Sequence, residues 1–233
     1  MTAHIILLGP QGSGKGTQSE RVRSRLHLAS IATGELFRSA IKGETELGQR
    51  IKAIYDRGEL VPDDITVALV EERLDSLAAQ GPQSKVTGAL YDGFPRTAAQ
   101  AQALDDMLAR RGEAITVAIA IDVPRETLIE RLSGRRVCSV CGRVYNVVSD
   151  PPKAEGVCDV DGGALVQRAD DTPEAVAKRL DLYDVETAPL ANRYAERGLL
   201  VRVDGDRPID EVTESVVAAI ESRAAAVTQD APA

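Results

Sequence analysis

Residues 9–18 read Gly-Pro-Gln-Gly-Ser-Gly-Lys-Gly-Thr-Gln and follow directly on the apolar run Ile5-Ile6-Leu7-Leu8. A short apolar run, a glycine-rich turn and a helix-patterned segment in that order predict strand, turn and helix. Glycines at 9, 12 and 14 let the backbone bend around an anion with its N–H groups turned inward. The positive end of the following helix points at the same anion. Lys15 supplies a mobile point charge that can reach the outer phosphates of a polyphosphate.

The spacing Gly9-x4-Gly14-Lys15 fits a P-loop, and the preceding strand gives that match its structural context. One position departs from the usual pattern. Gly16 stands where a Ser or Thr commonly follows the Lys, and Thr17 comes one residue later. A hydroxyl contact to Mg²⁺ directly after Lys15 is therefore not expected.

Outside this stretch, strand candidates are His4–Leu8, Leu28–Ile31, Ala89–Tyr91, Ile115–Ile121 and Leu199–Val203. Apolar spacing of three to four residues predicts helices over Gly14–Leu26, Ile65–Ala79, Ala98–Arg110, Arg125–Leu132, Pro173–Arg197 and Ile209–Ala224. Asp63 or Asp64 is a candidate cap for the second of these, and Thr172-Pro173 for the fifth. Alternating strands and helices predict an α/β fold with a five-stranded parallel sheet covered on both faces. Two stretches break the alternation and read as insertions: 32–61, with short helices and glycine breaks, and 134–171, with all three cysteines and few aliphatic runs. The resulting division is core over 1–31, 62–133 and 172–222, insertions between them, and a frayed tail over 223–233.

The 233-residue length allows one large domain carrying such insertions. Aromatics make up 3% with no Trp, so the core must be aliphatic and base stacking on single strands is poorly served. Net charge is −8, the opposite of what duplex binding asks for. There is no apolar run long enough to span a membrane and no room for a signal peptide before the first strand, which predicts a cytosolic protein. His4 lies in the first strand and His27 precedes the second, and both read as structural.

The second informative pattern is Cys138-x2-Cys141-x16-Cys158-x2-Asp161. Two short turns, each offering two ligands, suit a tetrahedral metal. Asp159 competes as the carboxylate but has the wrong spacing. A redox CxxC pair, or packing without metal, fits the same residues, and zinc, iron or cobalt fits the same thiolates.

Five blocks in order, GPQGSGKGTQ (9–18), ATGELFR (32–38), GELVPDD (58–64), YDGFPRTAAQ (91–100) and RLSGRR (131–136) with Arg168 and Arg179, resemble the long-lid bacterial adenylate kinases. The resemblance runs from residue 5 to about 210. It implies reversible phosphoryl transfer from MgATP to AMP giving two ADP, with 32–61 as an NMP-binding insertion and 134–171 as a lid. It implies a monomer with nucleotides as its partners and neither nucleic acid nor membrane.

Residue by residue, the resemblance gives Gly12, Ser13, Gly14, Lys15, Gly16 and Thr17 to the ATP phosphates, with Arg131 and Arg135. Val144, Tyr145 and Arg207 match positions near the ATP base. Thr33, Arg38, Glu59, Leu60, Val61, Gly93, Phe94, Pro95, Arg96 and Gln100 look like the AMP site, joined by Arg168 and Arg179. Guanidinium forks suit phosphate, and a Gln amide offers donor and acceptor to adenine. Gly58 would let backbone approach the base. Arg131 and Arg135 share a face if their helix continues, and Asp170 and Asp171 look like lid-hinge partners for the arginines. Asp92 resembles the residue that holds the Mg²⁺ water shell. Cys138, Cys141, Cys158 and Asp161 resemble the structural zinc ligands of some long lids. Lys15, Arg96, Arg131, Arg135, Arg168 and Arg179 would carry the chemistry by charge and positioning, with no protein base. A kinase of another nucleotide pair, and a zinc module that only binds at its P-loop, are the competing readings.

Overall fold

A computed structural model describes residues 3–43, 46–55, 59–81, 85–168 and 171–229. Gly58 and Asp170 lie outside the described residues. The central sheet is parallel, in the order β2-β3-β1-β4-β8, from β1 (Ala3–Leu8), β2 (Leu28–Ala32), β3 (Gly88–Asp92), β4 (Val117–Asp122) and β8 (Leu200–Asp204). The central strands β3, β1 and β4 are nearly continuous buried runs, as burial on both faces requires, while the edge strand β8 exposes Arg202 and Asp204.

One face is covered by α4 (Asp63–Ala78), α5 (Ala98–Arg110) and α8 (Pro189–Glu196), packed around Ile6, Ile31, Tyr91, Phe94, Leu104 and Met107. The other carries α1 (Lys15–Leu26) and α9 (Ile209–Gln229), packed around Ile5, Leu7, Val22, Ile119 and Val216. His4 lies buried at the start of β1, away from the glycine-rich turn, between the Tyr91 hydroxyl at 2.9 Å and Glu113 at 3.1 Å. Burial pushes its pKa down against the pull of Glu113. Among the described residues no helix is long and apolar enough to cross a membrane.

In the first of the two stretches that break the alternation, α2 (Thr33–Lys42) and α3 (Glu46–Tyr55) pack with Val61 and with Ile65 of α4 in an apolar cluster that includes Phe37 and Ile51. The second follows α6 (Arg125–Ser133) and is a three-stranded antiparallel sheet in the order β6-β5-β7, from β5 (Arg135–Cys138), β6 (Val144–Asn146) and β7 (Leu165–Val166). Among the described residues its buried cluster holds Cys138, Tyr145 and Cys158, backed by Leu165.

Four sequence expectations need correction. Neither Asp63 nor Asp64 caps α4, because the chain enters the helix at Pro62 and Asp63 is already its first residue. The single helix over Pro173–Arg197 is broken into α7 (Pro173–Leu182), a π-helical turn at Tyr183–Thr187, and α8. Pro189 has no N–H to continue the ladder, and the turn is widened, with Ala188 N–H donating to the Tyr183 carbonyl at 2.8 Å. The helix does not carry Arg131 and Arg135 on one face: it stops at Ser133, and Arg135 opens β5. At the C-terminus, α9 runs beyond Ala224 to Gln229, because the alanines after Arg223 favour helix and neither Gly nor Pro stands between Arg223 and Gln229.

Candidate nucleotide site

The carboxyl ends of β3, β1 and β4 meet where the strand order reverses, the place where open α/β sheets bind ligands. Between β1 and α1 the glycine-rich turn lies against this edge. Gly14 caps α1 in a left-handed conformation (φ 92°), which opens the first turn of N–H groups toward the crevice. Lys15 folds back over the loop, donating to the Gly9 and Pro10 carbonyls at 2.7 and 2.8 Å. Ser13 is buried, and its hydroxyl has no protein partner among the described residues. Gly12 and Gly14 lie beside it, and Gly16 and Thr17 sit exposed on the first turn of α1.

Sheet register places Asp92. In β3 it lies opposite Leu7 on one side and Ala32 on the other, between the start of the glycine-rich loop and the start of α2. A Cβ built on Gly16 would stand 3.8 Å from Asp92 Oδ2. The carboxylate therefore faces the spot where other P-loops carry a hydroxyl. Burial pushes the Lys15 amine down to about 8; Asp92 opposes this shift, while Arg96, Arg179 and Arg135 reinforce it. One lysine thus feels charges from the strand end, the following loop, α7 and the base of the antiparallel insertion.

The loop after β3 is tightly fixed. Gly93 has φ 75°, and an added Cβ would meet Arg96 Nη2 at 2.8 Å and Thr33 Oγ1 at 3.0 Å. Its carbonyl accepts from Thr33 Oγ1 at 2.9 Å and from Arg96 Nε at 2.8 Å. Phe94 and Pro95 are buried, joined by a cis peptide bond. The Arg96 carbonyl accepts from Thr187 Oγ1 at 2.9 Å, so the π-helical turn is tied to this loop. Arg38 is exposed on α2, its guanidinium 3.2 Å from where a Cβ on Gly34 would stand.

Several expected contacts are used differently. Val61 is buried among Phe37, Ile51 and Ile65, while Leu60 is half-buried and Glu59 exposed, 3.8 Å from Lys178 on α7. Tyr145 is buried beneath the cysteines, its hydroxyl 3.4 Å from Cys158 Sγ, with Val144 exposed beside it. In this conformation the Tyr145 ring belongs to the small core of the insertion. Gln100 is also buried, with both ends of its amide engaged by protein.

The arginines of the insertion base separate into two groups. Arg131 donates to the Gly205 carbonyl at 3.0 Å and to Asp206 at 3.2 Å, beside Arg207, which reaches Asp204 at 3.3 Å. Arg135 is held by the fully buried Asp171 through a bidentate pair, with Nε at 2.7 Å. Arg168 and Arg179 are half-buried on either side of this hinge. The resemblance implied Asp171 as a partner of these arginines; nothing implied the part played by the loop at 204–206, since no local motif marks it.

The cysteines converge. Ligand atoms of Cys138, Cys141, Cys158 and Asp161 all lie within 4.8 Å of one another. Cys141 and Cys158 sulfurs are 3.7 Å apart, and Cys138 Sγ is 3.2 Å from Asp161 Oδ1. Zinc–sulfur bonds of about 2.3 Å at tetrahedral angles set sulfur–sulfur distances near 3.8 Å. Backbone N–H groups of Val140 and Val160 point at Cys138 and Cys158 sulfurs at 3.3 and 3.5 Å, and Gly163 N–H at Asp161 at 2.8 Å. Outer contacts of this kind orient ligands. The donor set and geometry fit a closed metal site.

Residues 7–199 match the family described as adenylate kinase. The chain is 49% identical over 217 residues to the adenylate kinase of Carboxydothermus hydrogenoformans, covering 93% of this chain and 99% of that one. It is 50% identical over 208 residues to that of Moorella thermoacetica, covering 89% and 93%. To that of Bacillus velezensis it is 48% identical over 213 residues, covering 91% and 95%.

Proposed function

The chain belongs to the adenylate kinase family, and on that premise we propose that its crevice carries out reversible transfer of the terminal phosphoryl group from MgATP to AMP, giving two ADP. The observation that carries this reading is the geometry of the crevice: Lys15 folded over the Gly9 and Pro10 carbonyls, the unpartnered Ser13 hydroxyl beside it, Asp92 facing the turn at Gly16, and the Gly93 carbonyl holding both Thr33 and Arg96.

AMP's phosphate is already an anionic nucleophile, so no protein base is needed. An AMP oxygen bonds to the γ-phosphorus as the bond to the β-bridging oxygen breaks, and the leaving group departs as ADP. The protein's task is in-line placement and neutralisation of charge on the transferred group. Gly12, Ser13, Gly14, Gly16 and Thr17 cradle the donor phosphates, with the unpartnered Ser13 hydroxyl and the α1 amides as donors. Lys15 swings from its two carbonyls onto those phosphates. Arg131, Arg135 and Arg207 complete the ATP side, with Val144 and Tyr145 contributing backbone near the base. Thr33, Arg38, Arg96, Arg168 and Arg179 hold the AMP phosphate. Glu59, Leu60, Val61, Gly93, Phe94, Pro95 and Gln100 frame its nucleoside.

The Mg²⁺ that accompanies ATP supplies charge neutralisation, and Asp92 is the residue that would orient its waters, since it faces the loop at Gly16. The unit over 32–61 closes on AMP and that over 134–171 on ATP, excluding water. Zinc is the metal we assign to Cys138, Cys141, Cys158 and Asp161, in a structural role because four protein ligands leave no open position. The family reading carries with it a monomer working in the cytoplasm.

The test is ADP formation from MgATP with AMP, GMP, CMP or UMP as acceptor. AMP is expected to lead in kcat/KM by roughly a hundredfold or more, because a site built to hydrogen-bond one base leaves polar groups unpaired with another. Another acceptor matching AMP overturns the assignment.

A further inference from the structure

Gln100 has a carboxamide whose orientation is fixed by two partners that each admit one answer. Its Nε2 donates to Asp63 Oδ1 at 2.7 Å, and an ionised carboxylate can only accept. Its Oε1 accepts from the Arg96 backbone N–H at 2.8 Å, and an amide N–H can only donate. A flipped amide would put NH₂ against N–H and oxygen against carboxylate, losing both bonds and adding two repulsions. Asp63 is fixed in turn, since its second oxygen accepts from Thr97 Oγ1 at 2.8 Å, and Thr97 Oγ1 accepts the Gln100 backbone N–H at 3.1 Å.

Counting what remains defines the readout. Two amide hydrogens less one leaves a single donor; two oxygen lone pairs less one leaves a single acceptor. A 6-aminopurine offers a donor at N6 and an acceptor at N1. A 6-oxopurine offers the reverse, an acceptor at O6 and a donor at N1. The same amide edge serves either base, depending only on which way it is turned. Whatever locks the flip therefore chooses the base.

We propose that Asp63 is a positioning residue that sets the acceptor preference for 6-aminopurine over 6-oxopurine nucleotides by locking the Gln100 amide. This rests on the reading of the crevice as an AMP site. Asp63 does not touch the base. It acts from the first residue of α4, through Gln100, and is tied to the phosphate-binding side through Arg96.

The test compares AMP and IMP as acceptors for the wild type and for Asp63→Asn, whose amide can donate as well as accept and so removes one of the two locks on Gln100, leaving the Arg96 N–H as the other. The kcat/KM ratio of AMP to IMP is expected to fall by roughly fivefold in the variant, the scale of the one hydrogen bond that no longer opposes the flip. The change should appear in acceptor KM, with the KM for MgATP unmoved, a split that general destabilisation would not produce. A melting curve verifies folding. Wild-type protein supplies an independent arm: 1-deaza-AMP, which lacks the N1 acceptor, should show a KM raised by roughly tenfold over AMP. An unchanged AMP:IMP ratio in a folded variant, or 1-deaza-AMP as good as AMP, overturns the role of Asp63 while leaving the kinase reading intact. Wild-type protein that fails to use AMP at all brings down the kinase reading itself.

Discussion

Replacing Lys15 with Ala is expected to lower kcat for ADP formation by about a thousandfold or more, the loss typical of removing a preorganised charge from a transition state. The backbone should be little disturbed, since the bonds lost are two side-chain donations to the Gly9 and Pro10 carbonyls and no backbone–backbone bond is broken. Circular dichroism and a melting curve verify that. The wild type carries a second signature of the same amine. Burial, against Asp92 and together with three arginines, pushes Lys15 down to about 8. The free protein therefore loses this cation as pH rises through that value. Since kcat/KM follows the ionisation of the free protein, kcat/KM for MgATP should decline above about pH 8. Bound phosphates favour the charged amine, so kcat should hold to higher pH. Activity surviving Lys15→Ala within tenfold contradicts the role given to this lysine.

The second large effect concerns the metal. The antiparallel insertion buries three cluster side chains, Cys138, Tyr145 and Cys158, and two of these are thiols of the proposed site. Such a unit lacks the apolar area to hold itself together, so the bond to metal is its folding energy. Cys158→Ser, or removal of metal by a strong chelator, is expected to lower Tm by about 10 °C, equivalent to a few kcal/mol in a chain of this size. Elemental analysis should find one zinc per wild-type chain and a small fraction of that in the variant. The chemical step should suffer less than in Lys15→Ala, because the cluster is a separate packing unit from the crevice. A Tm within 2 °C of wild type, or metal-free wild-type protein with the same Tm, contradicts the structural role and favours a redox or packing role for the thiols.

Much of this was legible in the chain because it is written in local pattern. Apolar runs give the strands, and the sheet shifts their ends by one or two residues, adding Ala3, Gly88 and Asp204 and dropping Ile115, Thr116 and Leu199. Thr172 does cap α7, its hydroxyl accepting from Ala175 N–H at 3.3 Å. Asp63 does not cap α4: Pro62 takes that place, and the carboxylate reaches across to α5. That contact spans 37 residues of sequence and has no local signature. The same holds for Arg131 with Asp206 and Thr187 with Arg96, which are set by which loops the topology gathers at one sheet edge. Tyr145 shows the opposite limit. Its position suits a base contact, yet its ring is the largest apolar body the insertion has, and packing under the cysteines claims it.

The most direct test of the account starts from ADP alone. With Mg²⁺ and purified protein, ³¹P NMR should show ADP falling while ATP and AMP rise in equal amounts to a plateau, with no inorganic phosphate. ADP that stays unchanged, or that yields phosphate, contradicts phosphoryl transfer between two nucleotides in this crevice.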